Sequence, residues 1–183
     1  MPDPVPTIPN IMAEVSATVD RIDDAIDRWW DRCRDRPAVD RLYYTASEAA
    51  DFSLIWHMCG VVQAIIEDDP MIAVGLSAAL GVESALVNGP VKSLFRRSRP
   101  VQEAPRPHKL RQPKTSSFPS GHASAAMVAA ALLSRHAGGA AWYGVGAIVA
   151  TSRLHVRIHH ASDVAGGIVL GVALGAIARR VVG

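Results

Sequence analysis

The sequence is poor in cysteine and has little net charge, and both deficits limit what it can do. Only two cysteines, Cys33 and Cys59, occur in 183 residues, which excludes a disulfide scaffold. The formal net charge is +2 and the basic residues are scattered, which argues against a nucleic-acid partner. Apolar residues make up 49% of the chain, so disorder and collagen-like folding are excluded. The proline-rich first ten residues lack an apolar run, and no secretory signal peptide is expected.

Charge is absent from two long stretches near the C-terminus. No Asp, Glu, Lys or Arg occurs between Arg135 and Arg153, or between Asp163 and Arg179. Three further apolar segments precede them, and none of the five shows strand-like alternation. The apolar surface of several short uncharged helices is difficult to bury in a water-soluble protein. We therefore predict an all-α, polytopic membrane helix bundle with about five spanning helices. The predicted spans begin near Thr45, Met71, His122, Gly139 and Val164.

The N-terminal region has the pattern of an amphipathic helix. Apolar residues recur every three or four positions from Met12 to Cys33, and Asp and Arg occupy the other face. Pro37 is predicted to end this helix. Two placements stay open: the helix lies in the membrane interface, or it packs on its own domain or on a partner subunit.

A capping box divides the chain into two predicted units. Thr45 and Glu48 have the T-x-x-E spacing that starts a helix. We therefore expect residues 1–45 to form a tail with the amphipathic helix. Residues 46–183 would form the membrane-embedded domain. The sequence does not determine the oligomeric state, and a homo-oligomer is one of the open alternatives.

Two features interrupt the apolar segments. Gly167, Gly171 and Gly175 follow one another at four-residue spacing, which lets helix backbones approach closely inside a membrane. Glu83 lies inside an otherwise apolar segment, where a carboxylate is costly unless it is paired or hydrated. It indicates either a functional group or a structural hydrogen bond. His57 is expected to be a polar group satisfied within the bundle.

The ionisable residues that suit catalysis form three clusters at helix ends. These are KSLFRRSRP at 92–100, SFPSGH at 117–122 and SRLHVRIHHASD at 152–163. Two predicted helices separate the second cluster from the third, and a proline-rich loop joins the first two. If each apolar segment crosses once, all three clusters lie on the same membrane face.

The clusters contain the parts of an anion site. Lys92, Arg99 and Arg153 supply fixed positive charge and many donors, which suit a group with several anionic oxygens. Ser120 and Gly121 lead directly into a helix, whose first N–H groups and positive dipole end attract an anion. These five residues are predicted to hold a phosphate.

Two histidines and an aspartate complete a catalytic set. His159 and Asp163 are four residues apart, so the carboxylate can bind one imidazole nitrogen and leave the other as a nucleophilic lone pair. His122, beside the anion site, can donate a proton to a departing oxygen. Together with the cations, these residues predict phosphoryl transfer through a phosphohistidine.

The three clusters also resemble the signature of the type 2 phosphatidic acid phosphatase (lipid phosphate phosphatase) superfamily, and no motif position departs from it. The matching residues are Lys92 and Arg99-Pro100, then Pro119-Ser120-Gly121-His122, then Ser152-Arg153, His159 and Asp163. The resemblance implies a helical membrane phosphatase that needs no metal or other cofactor. It implies that His159 attacks phosphorus, Asp163 orients it and His122 protonates the leaving group, while the remaining motif residues hold the phosphate.

Alternative roles remain for several residues. His155, His159 and Asp163 share a four-residue spacing and could bind a metal on one helix face. His160 is expected to be a neighbour without a role. The other basic residues of the region are expected to be membrane-surface charges or headgroup contacts. These are Arg96, Arg97, Arg106, Lys109, Arg111 and Lys114.

The distribution of basic residues predicts an orientation. With five spans, sixteen Lys and Arg lie on the side of the three clusters and three on the other side. By the positive-inside rule the active site faces the cytoplasm of a bacterial cell membrane. The Arg-, Ala- and Gly-rich composition also resembles the branch of the family that acts on decaprenylphosphoryl phosphoribose phosphate in actinobacterial wall synthesis.

Other substrates and functions stay open. Phosphatidate, phosphatidylglycerol phosphate and polyprenyl diphosphates also suit a site at a helix mouth. A vanadium haloperoxidase has a similar oxyanion site, but those enzymes are large and soluble. A membrane protein that only binds or moves lipid phosphates would need the cations but not the nucleophile formed by His159 and Asp163.

Overall fold

The chain forms seven α-helices in the computed structural model, which describes residues 7–101, 110–113 and 115–182, and those ranges contain no strand. This confirms the all-α prediction. Short 3₁₀ turns occupy Asp31–Cys33 and Asp51–Ser53, and a π-helical turn, Val87–Val91, follows the fourth helix. The helices are α1 (Ile8–Trp30), α2 (Pro37–Ala49), α3 (Leu54–Glu67), α4 (Pro70–Leu86), α5 (Gly121–Leu133), α6 (Ala141–His155) and α7 (Ala161–Val181).

Helix α5 is the centre of the bundle. Every residue from Ala123 to Leu133 is buried, and α7, α6 and α4 pack around it. The glycine stripe of α7 allows the closest of these contacts. A Cβ atom at Gly167 or at Gly171 would lie 2.4 Å from a backbone carbonyl oxygen of α5. The small residues therefore bring the start of α7 directly against the start of α5, as the glycine spacing predicts.

The described helices differ in whether they can cross a bilayer. Two of them, Pro70–Val91 and Ala161–Val181, are long and apolar enough, and Pro37–Ala49 with Asp51–Glu67 form a third candidate that bends by 67°. Helix α5 is apolar but spans only about 20 Å at roughly 1.5 Å per residue. The chain is thus a membrane protein, while the count of five spans stays a prediction.

Two predicted helix boundaries are wrong. Thr45 and Glu48 do not start a helix, because both lie inside α2, which begins with Pro37 at its first position. Pro37 therefore starts a helix, and α1 already ends before it. The break lies further on, where Phe52 and Ser53 adopt left-handed backbone angles, with φ of 55° and 59°. The boundary predicted at residue 45 consequently falls within α2.

Helix α1 packs on its own domain by one side only. Ile26 and Trp30 contact the buried cluster formed by α5, α6 and α7. Met12, Val15 and Trp29 remain exposed. Helix α1 thus contacts its own domain, which is one of the two placements that the sequence left open. Contact of its exposed side with the membrane stays a prediction.

Candidate active site

The three polar clusters meet in one cavity at one end of the bundle. The cavity has a volume of about 550 Å³ and lies where the 3₁₀ turn before α3, helices α3 and α4, the N-terminal end of α5 and the C-terminal end of α6 converge. Arg99 lies in the adjoining groove, which shares Lys92 with the cavity. The cavity is lined by Lys92, Gly121, His122, Arg153 and His159 among others.

His159 has the environment of a neutral nucleophile. It lies in the turn between α6 and α7 and is 2% exposed. Arg99 Nη1 lies 3.1 Å from its Nε2. Because a guanidinium can only donate, Nε2 carries the lone pair and the proton lies on Nδ1. Burial lowers the pKa of His159 to about 3, so the imidazole is uncharged at neutral pH.

Asp163 is placed to orient that imidazole. Its Oδ2 lies 3.5 Å from Nδ1 of His159, longer than a hydrogen bond. The same oxygen accepts the backbone N–H of His160 at 2.8 Å, and Oδ1 accepts from Nη1 of Arg97 at 2.9 Å. Asp163 thus lies in the first turn of α7 with one oxygen directed toward the nucleophile. Catalytic hydrogen bonds are often this long before substrate binds.

His122 has an acidic partner that the motifs do not contain. Its Nε2 lies 3.1 Å from Oδ1 of Asp51. Asp51 begins the 3₁₀ turn between α2 and α3, and the left-handed residues Phe52 and Ser53 follow it. Such backbone conformations are costly for residues other than glycine, and they often occur at functional sites. No local sequence signal indicates this contact, because the two residues are 71 positions apart.

Lys92 and Arg99 provide positive charge on the loop side of the site. Lys92 Nζ donates to Asn88 Oδ1 at 3.0 Å, and burial lowers the pKa of Lys92 to about 8. Arg99 also donates to the carbonyl oxygens of Thr115, Ser116 and Ile158. The guanidinium therefore joins the loop before α5 to the turn that carries His159.

The remaining predicted phosphate ligands come from α5 and α6. Arg153 is buried and donates to the hydroxyl of Ser47. Ser120 is the N-cap of α5, and its hydroxyl accepts the N–H of Ala123. A Cβ atom at Gly121 would lie 3.2 Å from Asn88 Oδ1 and 3.8 Å from Lys92 Nζ. Glycine at this position keeps space open between the helix N-terminus and the lysine.

Two further polar side chains from α3 and α4, His57 and Glu83, line the cavity. Glu83 accepts a hydrogen bond from Ser124, and Nδ1 of His57 lies 2.9 Å from the hydroxyl of Ser77. The contact of Glu83 is the structural hydrogen bond that the sequence left as one alternative. Both side chains nevertheless face the cavity, so they can also meet a ligand.

His155 is separated from the other two residues of the metal alternative. Its Nδ1 accepts from Trp30 Nε1 at 3.2 Å, and its Nε2 lies 3.0 Å from Oδ1 of Asp40. Its ring also stacks on Tyr43. Both nitrogens of His155 are thus bound to protein groups, and the described residues contain no group of three His, Cys, Asp or Glu side chains that could hold a metal ion.

One of the residues predicted to be surface charges is part of the site. Arg97 binds Asp163 directly, so the prediction of a membrane-surface role is wrong for it. Arg111 is exposed, and its guanidinium lies 4.5 Å from the ring centroid of Phe52 at the cavity, so a headgroup contact stays a prediction for it. Arg96 is exposed as predicted. Arg106, Lys109 and Lys114 lie outside the described residues.

Comparison with known proteins identifies the family. The model of the PAP2 superfamily matches residues 71–183, which include every motif residue described above. The chain belongs to the PAP2 superfamily. Two relatives, both named decaprenylphosphoryl-5-phosphoribose phosphatase and both from Mycobacterium tuberculosis (strains CDC 1551 / Oshkosh and H37Rv), are 38% identical over 93 residues. That match covers 51% of this chain, and the chain spans about half the length of these relatives, 52%.

A solved PAP2 structure has the same fold. The transmembrane PAP2 type phosphatidylglycerolphosphate phosphatase from Bacillus subtilis superposes with a TM-score of 0.69 at 23% sequence identity. The superposition covers 90% of this chain and 86% of that chain. At this identity the likeness establishes the architecture of a membrane PAP2 protein.

Proposed function

We propose that the protein is an integral-membrane phosphoric ester hydrolase that removes phosphate from a lipid phosphate through a phosphohistidine at His159. One observation carries the proposal: a buried, neutral imidazole has its Nε2 lone pair 3.1 Å from Arg99, where an anionic phosphate would bind. A protein that only binds phosphate needs the cation but has no use for an oriented nucleophile beside it.

In the first step, Nε2 of His159 forms a bond to phosphorus as the ester P–O bond breaks. The departing oxygen takes a proton from His122, which Asp51 orients. The imidazole of His159 gains positive charge as it is phosphorylated, and the Asp163 carboxylate beside its Nδ1–H stabilises that charge.

In the second step, water attacks the phosphorus and the P–N bond breaks. His122, now neutral, accepts a proton from that water, which restores both histidines and releases inorganic phosphate. Lys92, Arg99 and Arg153 stabilise the phosphoryl oxygens in both steps, with the N–H groups at the start of α5. These groups supply the positive charge without a metal, so we propose that the reaction needs none.

Covalent trapping tests this function. The purified protein should release phosphate from lipid phosphates in detergent and retain its activity with EDTA. Acid-sensitive, base-stable radiolabel should appear on the protein, and His159→Ala should lose both label and turnover, by at least about 10³-fold in kcat. His136→Ala, at the opposite end of α5, is the control and should keep both. Turnover without label on His159 would refute the mechanism, and loss of activity with EDTA would favour a metal enzyme.

For the substrate, we propose a polyprenyl-linked phosphate with a hydroxyl-bearing headgroup, such as decaprenylphosphoryl phosphoribose phosphate. The relatives of that name support this choice. The polar lining of the cavity also supports it, because the hydroxyl of Ser77 and the carboxylate of Glu83 can bind sugar hydroxyls. Phosphatidylglycerol phosphate is the alternative, and the similarity to the phosphatase of that name is at the level of fold.

A substrate panel separates these alternatives. The values of kcat/KM are compared for the polyprenyl phosphoribose phosphate, phosphatidylglycerol phosphate, phosphatidate and a polyprenyl diphosphate in matched detergent. Glu83→Gln should lower kcat/KM for the sugar-bearing substrate more than for phosphatidate, with Glu48→Gln as the exposed control. Equal values across the panel would contradict a sugar-specific site.

We further propose that residues 46–183 form a catalytic domain in the bacterial cell membrane, with the active site on the cytoplasmic face. Residues 1–45 would then be an N-terminal segment whose exposed apolar side lies at the membrane interface. The excess of Lys and Arg on the side of the three clusters supports the orientation.

A further inference from the structure

Asp23 is a buried carboxylate on a helix whose neighbouring acids are exposed. Its side chain is 2% exposed, whereas that of Asp20, one turn earlier, is 62% exposed. Asp24, the next residue, is also exposed. A buried carboxylate is retained only when other groups compensate its lost hydration. The contacts of Asp23 therefore indicate why it is buried.

Both oxygens of Asp23 bind groups at the start of the catalytic helix α7. Oδ1 accepts the backbone N–H of Ser162 at 2.7 Å, and Oδ2 accepts the hydroxyl of the same residue at 2.6 Å. Oδ2 also pairs with Nη2 of Arg97 at 2.6 Å. One residue of α1 thus caps the first turn of α7 and holds an arginine against it.

Arg97 continues the connection to the nucleophile. Its Nη2 is held by the buried Asp23 at 2.6 Å and by the exposed Asp20 at 3.1 Å, and its Nη1 donates to Oδ1 of Asp163 at 2.9 Å. The other oxygen of Asp163 is the one that faces Nδ1 of His159. A series of ion pairs therefore runs from α1 through Arg97 to Asp163, whose Oδ2 lies 3.5 Å from Nδ1 of His159.

We propose that Asp23 and Arg97 are positioning residues, and that α1 completes the active site. Arg97 holds Oδ1 of Asp163, so that Oδ2, which also accepts the backbone N–H of His160, faces the Nδ1–H of His159. Asp23 holds Arg97 in that position and balances its charge. This inference rests on the proposed phosphatase function, and it adds to the active site a helix that lies outside the matched region 71–183.

Paired substitutions test the proposal on the full-length protein. Asp23→Asn keeps a hydrogen-bond acceptor for Ser162 but removes the charge that holds Arg97, and Asp24→Asn is the matched control. We expect Asp23→Asn to lower kcat by about 10- to 100-fold, as loss of a supporting group does at other sites. Its KM should stay within about twofold, since the phosphate ligands are untouched. Asp24→Asn should leave both constants unchanged.

Variants of Arg97 distinguish a positioning role of Asp23 and Arg97 from a purely structural role. Arg97→Gln should lower kcat as much as Asp23→Asn does, Arg97→Lys should restore most of it, and Arg96→Gln is the exposed control. The double variant with Asp23→Asn should be no worse than Arg97→Gln alone, because both act through one contact. Thermal unfolding of each variant establishes that the folded fractions are equal.

The outcomes separate the two proposals. If the unmodified protein releases no phosphate from any lipid, the proposed function fails. If it is active while Asp23→Asn and Asp24→Asn are equally active, the function stands and this inference is overturned. The inference is also overturned if the two losses multiply in the double variant, or if Arg97→Lys is as impaired as Arg97→Gln.

Discussion

His122 Nε2 and Asp51 Oδ1 lie 3.1 Å apart, although no motif connects them. A carboxylate at this distance holds the imidazole in one orientation. The proposed general acid therefore has a partner, just as the proposed nucleophile has Asp163. The two histidines have separate acids that reach them from different helices.

Asp51→Asn should impair protonation of the leaving group. We expect kcat for a lipid phosphate to fall by about 10- to 100-fold, less than the roughly 10²- to 10⁴-fold attributed to general acid catalysis, because Asp51 orients the proposed acid and His122 itself stays in place. An activated substrate with a nitrophenyl leaving group needs no proton, so the same variant should hydrolyse it at nearly the normal rate. The measurement is the ratio of the two rates, with Glu48→Gln as the control. Equal losses on both substrates would refute this role for Asp51.

Lys92 should give the enzyme an alkaline limit. Burial lowers the pKa of Lys92 to about 8, so its ammonium is charged at neutral pH and loses its charge as pH rises through that value. We expect kcat/KM, which reports the free enzyme, to fall above about pH 8 for this reason. Lys92→Arg should move the fall to higher pH. An unchanged alkaline limb in that variant would assign it to another group.

Gly171 should be intolerant of a side chain because α5 and α7 touch there. A Cβ atom at this position would lie 2.4 Å from the carbonyl oxygen of Ser124. We expect Gly171→Ala to destabilise the protein by about 1–3 kcal/mol through overpacking. Thermal unfolding in detergent measures the change. Gly144→Ala is the control, because a Cβ atom there meets nothing within 4 Å and the transition temperature should not fall.

Chemical labelling tests the orientation. With Cys33 and Cys59 replaced by serine, Ser93→Cys probes the active-site end and Ala137→Cys probes the loop between α5 and α6. In intact cells, a membrane-impermeant maleimide should label position 137, and it should label position 93 only after permeabilisation. The reverse pattern would place the active site outside. Retained phosphatase activity in both variants serves as the control for folding.

Much of the proposed catalytic set could be selected from the sequence because its members are close in sequence or have distinctive chemistry. His159 and Asp163 are four residues apart, and Ser120 precedes an apolar helical run, as a preferred N-cap residue does. Basic residues at helix ends near a membrane are common. They became candidate phosphate ligands only because they occur in the same clusters as these residues. The structure brings His122, His159 and the three cations into one cavity and its adjoining groove, and Asp163 lies beside His159.

The supporting residues could not be predicted in the same way. Asp51 lies in a break that no proline or glycine marks, inside a segment expected to be one continuous helix. Arg97 looked like one of several surface cations, because its partner Asp23 is 74 positions away. Nothing local distinguishes Asp23 from Asp20 or Asp24 on an acidic helix face.

The sequence alone therefore determined an all-helical chain, the reactive side chains and their order, since periodicity, charge and short motifs are local properties. The tertiary structure decided which acid and which arginine support each histidine. Those choices depend on where helix ends meet in space, and the meeting point is set by the close packing of α7 on α5 and by the break before α3. Packing of this kind depends on contacts between distant segments, and no local pattern records them.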